Sequence, residues 1–429
     1  MSREMKDSGV EWIGKIPKDW KVIKNKNCFE LEKNIVGSSF ENYQLLSLTK
    51  KGIVKKDFND VSGKIPDSYS TYQSVRKNQL VLCLFDLDCS AVFSGLSKFD
   101  GMISPAYKIY NCKSNIYEGF ARYWFDFCFD GRKYKYFSKS LRYVVNTEDF
   151  GTVEIALPNI LEQKKLANFL DEKVEEIDRL IDNAKKSIEE YKQYKQSVIT
   201  EAVTKGLDPN VEMKNSKNSY IGQIPKYWNE KRLKFLGYCQ NGISKSSGYF
   251  GTGYPFISYS DVYKNYVLPQ CGSGLIESSE IERGIYSVKY GDVFFTRTSE
   301  TIEEVGFVST CLKTIENATF TGFVIRFRPN NQKELLTNFS KYYFRSDIHR
   351  KFFVKEMNLV TRASLSQELL KKLPVLLPPL EEQEKIAIYL DEKCFEIDNL
   401  IIKKQKLIAN LELYKKSLIY ECVTGKKEI

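Results

Sequence analysis

Residues able to do covalent or metal chemistry are sparse in this chain of 429 amino acids, and those present are poorly placed for it. The one histidine, His349, stands in SDIHRKFF with no nucleophile beside it, so it reads as a surface or partly buried side chain. Ten cysteines (Cys28, Cys83, Cys89, Cys112, Cys128, Cys239, Cys271, Cys311, Cys394, Cys422) form no CxxC pair, and a lone histidine removes the usual partner for zinc. They are expected to be reduced, mostly buried, small apolar residues. Phe250-Gly251-Thr252-Gly253 shares its glycines with methyl-donor loops, yet no Asn/Asp-Pro-Pro-aromatic tetrapeptide follows, and it reads as a turn. Pro66-Asp67 could open a metal-dependent nuclease motif, but after it no Asp/Glu-x-Lys appears until Glu162-Gln163-Lys164. There is no GxxxxGK[ST] phosphate loop, so ATP-driven translocation is not encoded. The carboxylate pairs Asp171-Glu172 and Asp391-Glu392 are each followed by lysine on a helix, which reads as a solvated or partner-facing surface. The expectation is a chain without catalytic residues, metal or cofactor.

What remains must be a scaffold or a binding surface. At 42% hydrophobic and 28% charged, the chain can bury a real core, and its length predicts two to four structural units. No run of about 18 apolar residues occurs, and MSREMKDSGVEW alternates charges where a signal peptide needs an apolar stretch. A cytoplasmic protein without a membrane segment is expected. The net charge of +10 suggests an anionic partner.

An internal repeat organises the chain. LPNILEQKKLANFLDEKVEEIDRLI from Leu157 matches LPPLEEQEKIAIYLDEKCFEIDNLI from Leu377 at an ungapped offset of 220, and 24 of 48 positions are identical from Leu157 to Thr204. A shorter repeat opens each half, WIGKIPKDW from Trp12 and YIGQIPKYW from Tyr220. Within the long repeat, steps of four and three residues give Leu170, Val174, Ile177, Ile181, Ala184, Ile188, Tyr191, Lys195, Val198 and Ala202, apolar at nine of ten positions. The second copy gives Leu390, Cys394, Ile397, Ile401, Lys404, Ile408, Leu411, Lys415, Leu418 and Cys422. That spacing predicts a coiled-coil seam on a helix roughly 65 Å long from Leu161 to Thr204, which must bury its stripe against a partner.

Between the helices, short apolar runs bounded by turn residues (Gln79–Phe85, Tyr107–Tyr110, Asp292–Phe295, Gly322–Phe327) read as strands, and Gly119–Phe129 and Lys333–Phe344 as helices. The fold class expected is α+β: two mixed domains separated by two long antiparallel coiled-coil helices, with internal pseudo-symmetry. The boundaries are 1–156 for a first domain, 157–206 for a central helix, 207–376 for a second domain and 377–429 for a C-terminal helix. Charge sorts along the same lines, at +5 and +7 in the globular regions and −1 in each helical segment. That sorting argues for anion binding by two separate domains, with the helices left for protein contacts.

Helices introduced by LPPLEEQ and LPNILEQ, with domains opened by WIGxIPxxW, resemble the specificity subunit of type I restriction-modification systems over the full chain. QLLSLTKKGIVKKDF and LVLCLFDLD are similar to one recurrent type of target-recognition domain. The resemblance implies a non-catalytic reader of a split, asymmetric site in double-stranded DNA. It also implies docking of two DNA methyltransferase subunits and two restriction/translocase subunits. LPNILEQ lacks the second proline and the acidic first turn, so the two methyltransferase contacts are expected to be unequal. Helices held antiparallel would act as a ruler between two DNA words. Polar and aromatic residues in turn-rich, lysine-dense segments are the candidate DNA contacts: Ser47, Thr49, Lys50, Lys51, Tyr72, Gln73 and Arg142 in the first domain, and Ser244, Lys245, Ser258, Tyr259, Arg297, Thr298 and Arg362 in the second. Candidate subunit contacts on the helices are Gln163, Asp171, Glu172, Gln383, Asp391 and Glu392. The competing expectation is a coiled-coil scaffold whose basic domains bind RNA or protein without reading sequence.

Overall fold

The computed structural model describes residues 3–58, 68–87, 93–130, 132–133, 138, 143–299, 305–356 and 363–429, so Pro66, Asp67 and Cys89 lie outside the described residues. Two compact units form, one from Met1–Lys185 with Gln405–Ile429 and the other from Lys186–Lys404. Each unit takes half of each long helix, because each half-helix buries its stripe on that unit's own core.

In the first unit, β1 (Met5–Asp7) and β2 (Lys15–Pro17) form a hairpin, and β3 (Lys21–Lys24) runs antiparallel to a strand that enters the central helix. The remaining strands are β4 (Phe29–Glu32), β5 (Leu46–Thr49), β6 (Gly52–Lys55), β7 (Gln73–Val75), β8 (Leu80–Leu82), β9 (Ser94–Leu96), β10 (Gly101–Ile103), β11 (Lys108–Cys112) and β12 (Glu154–Leu157), the partner of β3. A four-stranded antiparallel sheet runs β4-β11-β8-β9. β8 lies between two partners and all three of its residues are buried, which is why QLVLCLF is a continuous apolar run rather than an alternating one. Helices α1 (Glu118–Asp130), α2 (Thr147–Thr152) and α3 (Ile160–Lys205) follow, with Asn146 capping α2 through the Asp149 N–H.

The second unit repeats this plan. β13 (Met213–Asn215) and β14 (Gln223–Pro225) form the opening hairpin, and β15 (Asn229–Arg232) waits for a late partner. Then come β16 (Gly237–Asn241), β17 (Phe250–Ile257), α4 (Tyr259–Lys264), β18 (Gly274–Ile276), α5 (Glu280–Ile285), β19 (Val293–Thr296), β20 (Thr298–Ser299), β21 (Val308–Thr310), β22 (Thr319–Phe320) and β23 (Val324–Pro329). The chain closes with α6 (Thr337–Tyr343), α7 (Asp347–Glu356), β24 (Ala363–Ser364), α8 (Gln367–Lys371), β25 (Pro374–Leu377), which pairs with β15, and α9 (Leu380–Val423). Its four-stranded sheet, β16-β23-β19-β21, has the strand order and pairing of the first, so the pseudo-symmetry extends beyond the repeated motifs into regions whose sequences have diverged.

The opening motif and the helix start form one local structure in each unit. Ile13, Ile16 and Trp20 are buried in the first, and the Trp20 indole N–H donates to Glu162 in the first turn of α3 at 3.2 Å. Ile224 and Trp228 are buried in the second, where the Trp228 indole donates to Glu382 of α9 at 3.0 Å. The motif glycines Gly14 and Gly222 have φ of +70° and +81°, a conformation that costs glycine little.

α3 spans 46 residues and α9 spans 44, as the periodicity predicts. In the first unit Leu170, Val174, Ile177 and Ile181 share a core with Leu418, Ile419, Cys422 and Val423. In the second, Ile199, Ala202 and Val203 share one with Ile386, Leu390 and Cys394. The pairing in each unit is antiparallel. Lys415 binds Asp178 and Gly425 lies by Trp20 in the first unit, while Lys195 binds Asp398 and Gly206 lies by Glu382 and Trp228 in the second. Among the described residues, no helix is long and apolar enough to cross a membrane.

Candidate nucleic-acid interface

Five of the seven candidate residues in the second domain gather around one set of strand ends. The turn Thr321-Gly322-Phe323 between β22 and β23 is held by its neighbours: Gly322 N–H donates to the Ile243 carbonyl at 2.8 Å, Thr321 N–H to Ile257 at 3.0 Å, and Arg297 N–H to Phe323 at 2.9 Å. An added Cβ at Gly322 would meet Ser244 Oγ, so the serine hydroxyl sits directly over this turn. Ser258 follows Ile257 and caps α4, its hydroxyl accepting from the Asp261 N–H at 3.2 Å. The Tyr259 hydroxyl donates to the Thr298 carbonyl at 3.1 Å, and Leu365 N–H donates to the Arg297 carbonyl at 2.7 Å. Ser244, Ser258, Tyr259, Arg297 and Thr298 therefore share one rim.

That rim has a buried support. The Asp261 carboxylate accepts from the Ser258 N–H, the Ser258 hydroxyl, the Ser273 N–H and the Ser273 hydroxyl, at 2.8 to 3.2 Å. A carboxylate with four donors fixes both serines. Sequence reasoning missed Asp261 and Ser273; the capping pattern Ser258-x-x-Asp261 is the signal that was available.

Lys245 takes a different role from the one expected. Its ammonium donates to the Glu277 carbonyl and to Glu282, both at 2.8 Å, and packs over Tyr249. That ion pair holds Glu282 below the usual carboxylate range, so the lysine pins the segment before α5 instead of standing ready for phosphate. Several arginines are also structural. Arg326 is buried against the Ser287 carbonyl and Gln240, and Arg328 forks onto the buried Asp292 at 2.6 Å. Charge counted along the sequence thus overstates the charge at the surface.

In the first domain the candidates fall in two places. Thr49, Lys50 and Lys51 form the β5–β6 turn, where the Thr49 hydroxyl is used internally, donating to the Gly52 carbonyl and accepting from the Lys51 N–H. Ser47 is half-buried on β5. Lys50 and Lys51 are exposed and line a cleft of about 790 Å³ with Lys98, Arg122, Lys415 and Lys416. Tyr72 and Gln73 sit elsewhere. Tyr72 packs edge-on to Tyr69 at 5.0 Å, and Gln73, 3% exposed, donates to the Tyr107 carbonyl at 3.1 Å. Gln73 cannot reach a base from there; it braces the turn that ends at Tyr107. Arg142 and Arg362 lie outside the described residues.

The helix candidates also divide. Gln163 and Gln383 are fully buried, and each makes three bonds inside its own unit. Gln163 accepts from the Tyr117 N–H and donates to the Asn115 and Pro158 carbonyls, and Gln383 does the same with Leu336, Glu334 and Pro378. Neither offers a side chain to another subunit, which corrects their expected role: they anchor the helix starts. Asp171 accepts from the Tyr123 hydroxyl at 2.7 Å and Asp391 from the Tyr342 hydroxyl at 2.6 Å, and both phenols are pushed up, chiefly by burial. Glu172 and Glu392 remain exposed.

The residues with chemical potential are structural. His349 is 2% exposed between Tyr343 and Phe344, and burial pushes it down to about 3. Burial pushes the thiols of Cys112, Cys239, Cys311 and Cys422 up to about 12. Among the described cysteines, Cys271 is exposed. Among the described residues no group of His, Cys, Asp and Glu could hold a metal ion.

Residues 225–413 match the type I restriction modification DNA specificity domain. A Methanocaldococcus jannaschii protein named as the MjaX type I restriction enzyme specificity subunit is 28% identical over 295 residues, 66% of this chain and 61% of that protein. The Escherichia coli (strain K12) EcoKI specificity subunit is 25% identical over 291 residues, 66% of this chain and 59% of the relative. The match thus spans about three fifths of the length of these curated relatives. Two solved structures share the fold at 14% identity: a chain from a study of complex assembly and conformational transition of the type I R-M system (TM-score 0.70, 95% of this chain and 98% of that one) and the HsdS subunit of Thermoanaerobacter tengcongensis (0.51, 96% and 98%). With a twice-used sheet, two long helices and two opening motifs bonded to them, the chain shares its fold with these two structures, and its residues 225–413 carry the type I restriction modification DNA specificity domain.

Proposed function

We propose that this chain is the non-catalytic DNA reader of a type I restriction-modification complex, recognising a split site of two unlike words. The observation that carries the reading is one frame used twice with different loops on it: matching four-stranded sheets, in a chain whose relatives are named specificity subunits, end in turns of unrelated sequence. Residues 1–156 and 207–376 serve as the recognition domains, and 157–206 and 377–429 as the helices that join them. Base contacts come from Ser244, Ser258, Tyr259, Arg297 and Thr298 in the second domain. Lys50 and Lys51 hold phosphate in the first, where charge contributes affinity but no sequence information. The helices dock two methyltransferase subunits and, in the full assembly, two restriction/translocase subunits. Glu172 and Glu392, exposed at equivalent positions, are the proposed contact carboxylates.

The test is methylome sequencing of a host that carries this chain with its methyltransferase subunit. The expected result is adenine methylation confined to one bipartite motif with an indifferent gap. Methylation without a two-word motif, or a motif unchanged when this chain is deleted, overturns the reading.

A further inference from the structure

The two sheets coincide residue by residue at the point where each receives its entering turn. Tyr110 of β11 faces Leu80 of β8, and Phe327 of β23 faces Val293 of β19. Three residues before each lies the end of a tight turn, Ser104-Pro105-Ala106-Tyr107 between β10 and β11, and Thr321-Gly322-Phe323-Val324 between β22 and β23. The hydrogen bonds are the same in both. Tyr107 N–H donates to the Ser104 carbonyl at 3.2 Å and Val324 N–H to Thr321 at 3.1 Å. The Ala106 N–H donates to the Ser104 hydroxyl at 3.4 Å and the Phe323 N–H to the Thr321 hydroxyl at 3.3 Å. The sequences share nothing here beyond a hydroxyl residue at the turn's first position.

What differs is the tip. Ala106 and Phe323 occupy the same place on the same turn, both exposed, and Phe323 shows 62% of its surface to solvent. The backbone that carries this ring is held in place by its neighbours. Gly322 N–H, the Phe323 carbonyl and Thr321 N–H are all bonded to neighbouring strands. Beside the turn lie Ser244, over Gly322, and Arg297, whose backbone N–H donates to the Phe323 carbonyl. A rigid apolar tip inside a polar rim matches what distinguishes thymine in the major groove, its methyl group, which alanine and phenylalanine side chains contact.

We propose that this turn tip is a base-reading position in both domains, with Phe323 and Ala106 each packing on a thymine methyl, in the second and first DNA words respectively. The inference rests on the proposed DNA-reading function. Asp261 and Gln73 act as positioning residues for it, the first through the Ser258 rim and the second through the Tyr107 carbonyl.

The experiment uses the full chain with its methyltransferase subunit, reading methylation rates on synthetic duplexes carrying the cognate site. Phe323→Ala is expected to slow methylation about tenfold, to let other bases in at one thymine position of the second word, and to leave the first word and the melting temperature unchanged. Replacing that thymine with uracil, which removes only the methyl, should slow the wild-type chain similarly and add nothing to Phe323→Ala; Phe323→Leu should recover most of the rate. Ala106→Phe should alter the first word alone. If the wild-type chain reads two words and Phe323→Ala reads the same two at the same rate, or if uracil has no effect at any second-word thymine, this inference fails and the reader function stands. If the wild-type chain gives no two-word motif, the reader function itself fails.

Discussion

At the residue scale, buried polar groups decide more than surface charges. Gln163 and Gln383 are buried, and each satisfies two carbonyls and an N–H, the proline carbonyl fully and the other two partly removed from water. Truncating either to alanine leaves all three partners unpaired, at about 1–3 kcal/mol per buried group before relaxation. Gln383→Ala is therefore expected to lower stability by at least about 2 kcal/mol in urea titrations, whereas Glu392→Ala, on an exposed position of the same helix, should change it by less than about 0.5 kcal/mol. His349 makes a second test, because it is the chain's one histidine. Its folded value of about 3 lies below the ordinary 6.5, so the unfolded chain binds the proton first. The stability carried by the neutral ring is whole above about pH 6.5 and is lost as pH falls towards 3. Between pH 7.5 and 5.5 that amounts to about 1 kcal/mol. His349→Phe, which cannot titrate, should show a flatter stability profile over this window; an equally steep one would mean another group carries the slope.

At the element scale, the long helices show how a seam tolerates charge. Lys195 and Lys415 fall on core positions of the apolar pattern, yet each reaches a half-exposed aspartate of the opposing helix, Asp398 and Asp178, at 2.7 to 2.8 Å. Such pairs are worth about 0–1 kcal/mol, while each fully buried leucine or isoleucine contributes about 1.5–3 kcal/mol. The apolar residues hold the helices together and the ion pairs select their register. Replacing both lysines with leucine should thus leave the melting temperature within a few degrees of wild type, at some cost in solubility. Replacing Asp178 and Asp398 with lysine sets like charges together and should lower it clearly, with recovery when Lys195 and Lys415 become glutamate. A large drop in the leucine variant would contradict the observed register.

For the whole molecule, the duplicated frame predicts modular reading. Residues 21–150 include one complete four-stranded sheet and its turns, and the segment is joined to the rest by the pairing of β3 with β12 and by Gln163 of α3, which bonds Tyr117 and Asn115. Exchanging it for the equivalent part of another recognition domain should change one DNA word and leave the other intact, as read by methylome sequencing. Both words changing together would show that the domains do not read independently.

The sequence alone determined the frame: duplication, helix type, seam and opening motifs follow from periodicity and internal identity, which are local properties of a chain. It also identified the strands at Gln79–Phe85 and Asp292–Phe295, because a strand buried on both faces must be apolar throughout. The candidate site was legible only in part. Ser244, Ser258, Tyr259, Arg297 and Thr298 do meet on one rim, but Lys245, Gln73, Gln163 and Gln383 were misread, since residue type does not reveal whether a polar group faces solvent or, as for the two glutamines, a backbone N–H or carbonyl 46 to 49 positions away. The equivalence of Ala106 with Phe323 could come only from the tertiary structure. Strand pairing matches segments by hydrogen-bond register, and register is preserved where every side chain has changed.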